Sequence, residues 1–253
     1  MQLTDLKWTD VAKLSRDVPV VIPVAALEQH GHHMPLFTDS LLLGEVVRRA
    51  TAACDPQKVL FAPLMWLGNS EHHLDFPGTM TAAPRTYLDL LHNMAENFLF
   101  HGFKRILFVN GHGGNHVPGQ QALFELRQKH RAQLDLLLLW VTYWETAKPD
   151  APAMNFVQHR MGHACEYETS MMLRLHPHLV GDLAKLPSVE FTPSFEPGGS
   201  RAWITKDRTE MGHIGMPQHA TAEKGEVLFQ TFAGGLTKLI ERAIAWDGKS
   251  WAG

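Results

Sequence analysis

Three short clusters in this sequence combine histidine with carboxylates at spacings that suit metal chemistry. The first is Glu28-Gln29-His30-Gly31-His32-His33. Residues two apart on extended chain point the same way, so Glu28 and His30 can converge on one point. Asp39 follows at the start of a helical pattern, with Gly31 and Pro35 between to fold the loop back. A carboxylate has two oxygens and can bridge two cations, which an imidazole cannot. Taken alone, Asp39 reads as a helix N-cap, as does Thr38. The second cluster is Asn110-Gly111-His112-Gly113-Gly114-Asn115-His116. Its glycines permit a tight turn and close approach of backbone to a ligand. The spacing is not that of a dinucleotide fingerprint, and no phosphate-binding P-loop occurs. The third is Gly162-His163-Ala164-Cys165-Glu166-Tyr167-Glu168-Thr169-Ser170. His163 and Glu166 share a face if this is a helix start, whereas Glu168 lies elsewhere unless the segment begins extended. Acids in a first helical turn also fit a plain dipole effect.

Glu28, His30, Asp39, His112, His163 and Glu166 together make a mixed imidazole and carboxylate set, which suits Zn²⁺ or Mn²⁺. The set exceeds what one catalytic zinc needs, so two ions per subunit are expected. Such ions stand about 3.5–4 Å apart around an activated water.

Composition agrees with a soluble enzyme. Of 253 residues 45% are hydrophobic and 19% charged, enough for a sizeable core. Lys plus Arg number 23 against 26 acids, a net charge of −3, so no nucleic-acid partner is expected. Sixteen histidines are many for a chain of this length. Two cysteines, Cys54 and Cys165, make neither a disulfide framework nor a paired-thiol zinc site. There is no apolar run of about eighteen residues. The first residues lack a basic stretch followed by an apolar block. A cytoplasmic protein with no membrane contact is expected. No G-x-S-x-G elbow is present, which disfavours a serine hydrolase.

The elements that must position these clusters alternate. Apolar strand patterns cover 18–26, 59–64, 105–109 and 134–142. Pro19 and Pro23 suggest that the first is an edge or irregular strand. Helical patterns cover 40–53, 84–100, 117–130, 166–175 and 219–246. This alternation predicts an α/β domain with a mostly parallel sheet, and no boundary divides residues 1–253. Ligands of such sheets sit at the carboxyl ends of the strands, where the first two clusters fall. Residues 187–217, rich in Pro, Gly, Ser and Thr, read as an active-site loop.

These motifs resemble the creatininase family (creatinine amidohydrolase and its relatives). Leu27-Glu28-Gln29-His30-Gly31 with Pro35-Leu36 and Thr38-Asp39 is similar to its E-Q-H-G-x-H-L-P-x-x-T-D signature. Asn110 to Asn115 resembles its N-G-H-G-G-N turn, and Gly162 to Ser170 its G-H-A-G-E-x-E-T-S segment. Phe76-Pro77-Gly78-Thr79, and Gly215 with Pro217, Thr221 and Gly225, match weaker elements. The resemblance runs along nearly the whole chain. It implies a three-layer α/β/α sandwich, a dinuclear metal site and a homohexamer. By motif position it assigns Glu28 and His112 to one metal, His30 to the other, Asp39 as the bridge, and His163 as the acid that protonates the departing nitrogen.

The implied activity is hydrolysis of a cyclic or small amide C–N bond by a hydroxide that two metals activate. The creatinine-hydrolysing members carry a glutamate where this chain has Gly114, and an apolar residue where it has Glu166. Glu166 is therefore expected to supply the missing carboxylate. Those members also place a tryptophan shortly before the catalytic histidine. Here Phe156-Val157-Gln158-His159-Arg160-Met161 has none, which points away from creatinine. Trp140, Trp144 and Trp203 are candidates for a pocket. Rival readings are a deformylase of pterin or flavin precursors, a peptide-trimming hydrolase, a ring-opening lactonase, and a non-catalytic metal- or ligand-binding member. A metal store has no need of a proton donor such as His163. His32, His33, His72, His73, His116 and His159 lie in or near the motifs, placed to support ligands.

Overall fold

The computed structural model describes residues 1–149, 154–190 and 199–250. Residues 191–198 of the predicted active-site loop lie outside the described residues. Four parallel strands form the sheet: β1 (Val20–Val24), β2 (Leu60–Phe61), β3 (Arg105–Asn110) and β4 (Leu137–Thr142), in the order β2-β1-β3-β4. Among the described residues, the helices that frame the sheet are α1 (Trp8–Val11), α2 (Thr38–Ala53), α3 (Pro84–Phe100), α4 (His116–Lys129), α5 (Glu166–Leu175) and α6 (Ala222–Ala245).

The central strands are apolar on both faces, and strand alternation sends their side chains into two cores. Val20, Ile22 and Val24 of β1, with Ile106 and Phe108 of β3, pack against Tyr87, Leu91 and Ala95 of α3 and Ala122 and Leu126 of α4. Val21, Leu107 and Val109 face the other way. They join Leu42, Leu43 and Val46 of α2, Met171 and Met172 of α5, and Leu228, Phe229 and Phe232 of α6. The result is the expected α/β/α sandwich.

β1 is an interior strand, where its prolines suggested an edge. Pro23 has no N–H to donate, but β2 reaches only Phe61 and has ended beside it. The Pro23 carbonyl on that side accepts from Met65 N instead. The second and fourth strands are shorter than their apolar runs. Helix α6 begins at Ala222, capped by Thr221 Oγ1 accepting from Lys224 N, and not at His219. Helix α2 begins one residue before Asp39, so neither Thr38 nor Asp39 caps it.

The parallel register aligns Val24 with Asn110 and Asn110 with Thr142. The chain therefore leaves three adjacent strands at one edge, carrying Glu28, His112 and Trp144 with it. Helices α5 and α6 complete that edge and cross very closely. A Cβ at Gly225 would overlap the Ser170 carbonyl. Gly225→Ala should push the helices apart and cost about 1–3 kcal/mol, read as a lowered midpoint in urea unfolding.

Candidate active site

Five side chains meet at the strand ends, all buried: Glu28, His30, Asp39, His112 and Glu168. Asp39 stands between two histidines. Its Oδ1 is 3.1 Å from His30 Nε2 and its Oδ2 is 3.1 Å from His112 Nδ1. Glu28 Oε1 lies 3.2 Å from His112 Nδ1 and 3.5 Å from both His73 Nε2 and His163 Nδ1. Glu168 Oε1 is 3.8 Å from His30 Nε2.

The outward atoms of these rings are held by backbone. His30 Nδ1 donates to Glu28 O at 3.1 Å. His112 Nε2 donates to Asn69 O at 3.0 Å, with Ser70 Oγ beside it at 3.2 Å. His163 Nε2 donates to Gln29 O at 2.8 Å. In all three the carbonyl partner assigns the proton to the outer nitrogen, and the inner lone pair faces the cluster. His73 is held the other way. Its Nδ1 accepts from the Gln29 amide and from Thr205 Oγ1, both at 2.8 Å, so its Nε2–H faces Glu28. Gln29 also donates to Gly212 O and accepts from Gly31 N, which ties the first motif to the segment before Ile214. Gly31 turns the chain there with φ +63°.

The electrostatics favour a cation at the centre. Burial works against a charged His112, yet Glu28 and Asp39 push it up to about 10. His30 is raised in the same way, against burial, chiefly by Asp39. Burial raises Glu28, with the Asp39 charge adding to it. Asp39 resists the upward pull of burial and is held below the usual carboxylate range by His30 and His112. His163 is lowered by burial first, then by His73, His30 and His112. Glu28 Oε2, His30 Nε2 and Asp39 Oδ2 are buried without a hydrogen-bond partner. Orphaned lone pairs of this kind are costly unless something positive joins them. Ligand atoms of His30, Asp39 and Glu168 lie within 4.8 Å of one another, as do those of Glu28, His72 and His112, and of Glu28, His30 and His163. The residues present fit divalent metal ions.

Glu166 does not join the cluster. Its carboxylate turns away and takes Val157 N at 3.0 Å, Gln158 N at 2.8 Å and Lys224 Nζ at 2.6 Å. Glu168, two residues on, faces His30 in its place. The reason is local. The stretch from His163 to Cys165 enters α5 extended and left-handed, with Ala164 at φ +48°, so helical spacing from His163 does not apply. Gly114 cannot carry a carboxylate here. A Cβ at that position would overlap Asn69 O and come within 2.5 Å of His112 Nε2. Cys165 is no nucleophile: burial and then Glu168 push its thiol up to about 12.

Beside the cluster opens a cavity of about 650 Å³. Its walls include His72, His163, Gly113, Gly114, Trp144 and Trp203. Of the three candidate tryptophans, Trp140 instead packs against Phe108 and Gly119. His33 is buried against Thr169 Oγ1 at 3.0 Å. Sequence reasoning gave no role to Thr205, Asn69, Ser70 or the Gln29 amide. Each acts across a long sequence separation with no local pattern to signal it.

The family model described as creatininase, creatinine amidohydrolase, matches residues 4–240. The mycofactocin precursor peptide peptidase of Mycolicibacterium smegmatis is 34% identical over 235 residues, covering 88% of this chain and 84% of the relative. Creatinine amidohydrolase of Pseudomonas putida is 29% identical over 239 residues, covering 88% and 89%. Solved creatininase structures described as Zn-Zn type and as Mn each superpose with a TM-score of 0.78 at 26% identity, covering 95% of this chain and 97% of theirs. The chain belongs to the creatininase family. It is a metal-dependent hydrolase of that family, and the Glu28–Asp39 and Asn110–Asn115 motifs stand at its strand ends as described.

Within this creatininase-family site, the Glu166–Lys224 pair is structural. Glu166→Ala should leave Lys224 uncompensated and cost about 3–5 kcal/mol. The double change Glu166→Leu with Lys224→Met should cost less, as thermal melts of the two proteins will show.

Proposed function

We propose that this chain is an amidohydrolase that cleaves a C–N bond with two divalent ions held at the strand-end cluster. The observation that carries this reading is Asp39, whose two oxygens face two different histidines at equal distance. Glu28, Asp39 and His112 would hold one ion, and His30, Asp39 and Glu168 the other. Zn²⁺ or Mn²⁺, when bound, would supply a Lewis acid for the substrate carbonyl and water of lowered pKa as nucleophile.

The chain's own groups do the rest. Gly113 and Gly114 border the cavity, and their backbone N–H groups are candidate donors to the carbonyl oxygen as charge builds on it. His163 borders the cavity with its inner nitrogen toward Glu28. That placement lets it take a proton at Nδ1 and pass it to the leaving nitrogen, while Gln29 O holds the ring still. Trp144 and Trp203 add aromatic surface to the cavity wall.

Peptide trimming is the second reading, and two observations favour it over creatinine. The relative at 34% identity is a peptide peptidase. The cavity also adjoins a second hollow of about 510 Å³, the two sharing Trp144 and Met161 as a common wall. A chain longer than a small ring fits such a pair.

Chelation should abolish amide hydrolysis, and Zn²⁺ or Mn²⁺ should restore it; full activity in metal-free protein would end the proposal. Elemental analysis should find two ions per chain in the native protein and about one in Glu168→Ala. His163→Asn should keep both ions and lower kcat by about 10²–10⁴-fold, measured by release of free amine.

A further inference from the structure

One histidine at the strand-end cluster has no task so far. His72 is half-buried on the single turn Glu71–His73, and it borders the cavity. The imidazoles around it are each held by a hydrogen bond at one nitrogen. His112 and His163 donate to the carbonyls of Asn69 and Gln29, and His73 accepts from Gln29 and Thr205. Ring contacts hold His72 instead. Its centroid lies 4.2 Å from that of His73, 5.2 Å from Trp203 edge-on, and 5.7 Å from His112 in a stack. Among the described residues, no hydrogen bond engages either of its nitrogens.

A ligand atom of His72 lies within 4.8 Å of ligand atoms of Glu28 and His112. An ion bonded to each at about 2.0–2.2 Å needs only a slight inward turn of the side chains. The rings of His72 and His112 are 14° from parallel, so both can present a nitrogen to one point. Glu28 brings to that point an oxygen, Oε2, that is buried without a hydrogen-bond partner. The glycine turn leaves the room. A Cβ on Gly114 would stand 2.8 Å from His72 Cε1, the carbon between the two ring nitrogens. A side chain there would displace the end of the ring that carries its lone pair. The segment before His72 is fixed by Asn69 N donating to Asn115 Oδ1 and Ser70 N donating to Thr81 Oγ1, both at 2.8 Å. The stretch that orients His112 through the Asn69 carbonyl thus also carries His72 to it.

We propose that His72 is a further protein ligand of the ion held by Glu28, Asp39 and His112. This rests on the two-ion reading and makes its two sites unequal. One has four protein groups, and the other, at His30, Asp39 and Glu168, has three. The four-group site is the tighter, and the three-group site keeps more positions open for water and substrate.

The test is calorimetric titration of Zn²⁺ into chelator-stripped parent, Glu168→Ala and His72→Phe proteins. Glu168→Ala should lose the weaker of two sites and keep the tighter. His72→Phe keeps a ring against His73, His112 and Trp203 and removes both nitrogens. Even a group that only supports a ligand contributes about 10–100-fold to metal affinity, so His72→Phe should weaken the tighter site by about tenfold or more. A smaller change overturns the proposal, as does loss of the tighter site in Glu168→Ala. If His72→Phe does not fold, His72→Cys decides. Loaded with Co²⁺, it should show a thiolate-to-cobalt charge-transfer band in the near ultraviolet. The parent, with Cys54 and Cys165 alone, is the blank. Absence of the band overturns the proposal. A parent that takes up no Zn²⁺ overturns it together with the two-ion reading. Two ions in the parent, with the tighter site unchanged in His72→Phe, overturn the His72 assignment alone.

Discussion

Burying three carboxylates beside several imidazoles is the constraint to which the rest of this structure answers. Desolvated charges cost several kcal/mol each unless they are paired. Asp39 faces two histidines at equal distance, and buried oxygens of Glu28 and Asp39 have no hydrogen-bond partner. The protein spends rigid backbone on keeping them in place. Carbonyls of Glu28, Gln29 and Asn69 orient His30, His163 and His112, and each of those carbonyls belongs to a segment anchored elsewhere. A cluster that is unfavourable by itself is stable because the sheet edge and the loops around it hold their shape without it.

That shape comes from two ordinary packing decisions. β1 and β3 are apolar on both faces, so helices must cover both, and the only polar exit is at the strand ends. On the far side, Gly225 lets α6 lie against α5, and Lys224 beside it reaches Glu166. The same turn of α5 carries Glu168 to His30. One glutamate anchors the helix start and the other faces the site, and the two roles are divided by which face of the first turn each occupies.

Much of this was legible in the sequence because it is local. The two-residue spacing of Glu28 and His30, the glycines around His112 and the alternation of strand and helix all act over a few residues. What was not legible depends on backbone conformation or on distant partners. Ala164 at positive φ shifts the phase of the α5 start, so a spacing argument selects Glu166 where the chain presents Glu168. Pro23 looks like an edge residue until the two-residue length of β2 is known. Thr205 reaches His73 across a separation of 132 residues, and no sequence period encodes such a pairing.

Gly114 restricts where the site can draw a side chain from. The space that a side chain would need there is filled by the Asn69 carbonyl, and that same carbonyl is what orients His112. A carboxylate introduced at 114 would therefore dislodge the loop that aims a neighbouring ligand before it could help to bind anything. Supplying the third carboxylate from the turn or from α5 is thus a choice between two whole arrangements. With the Asn69 loop where it is, the turn has no room for a side chain at 114, and the carboxylate comes from α5.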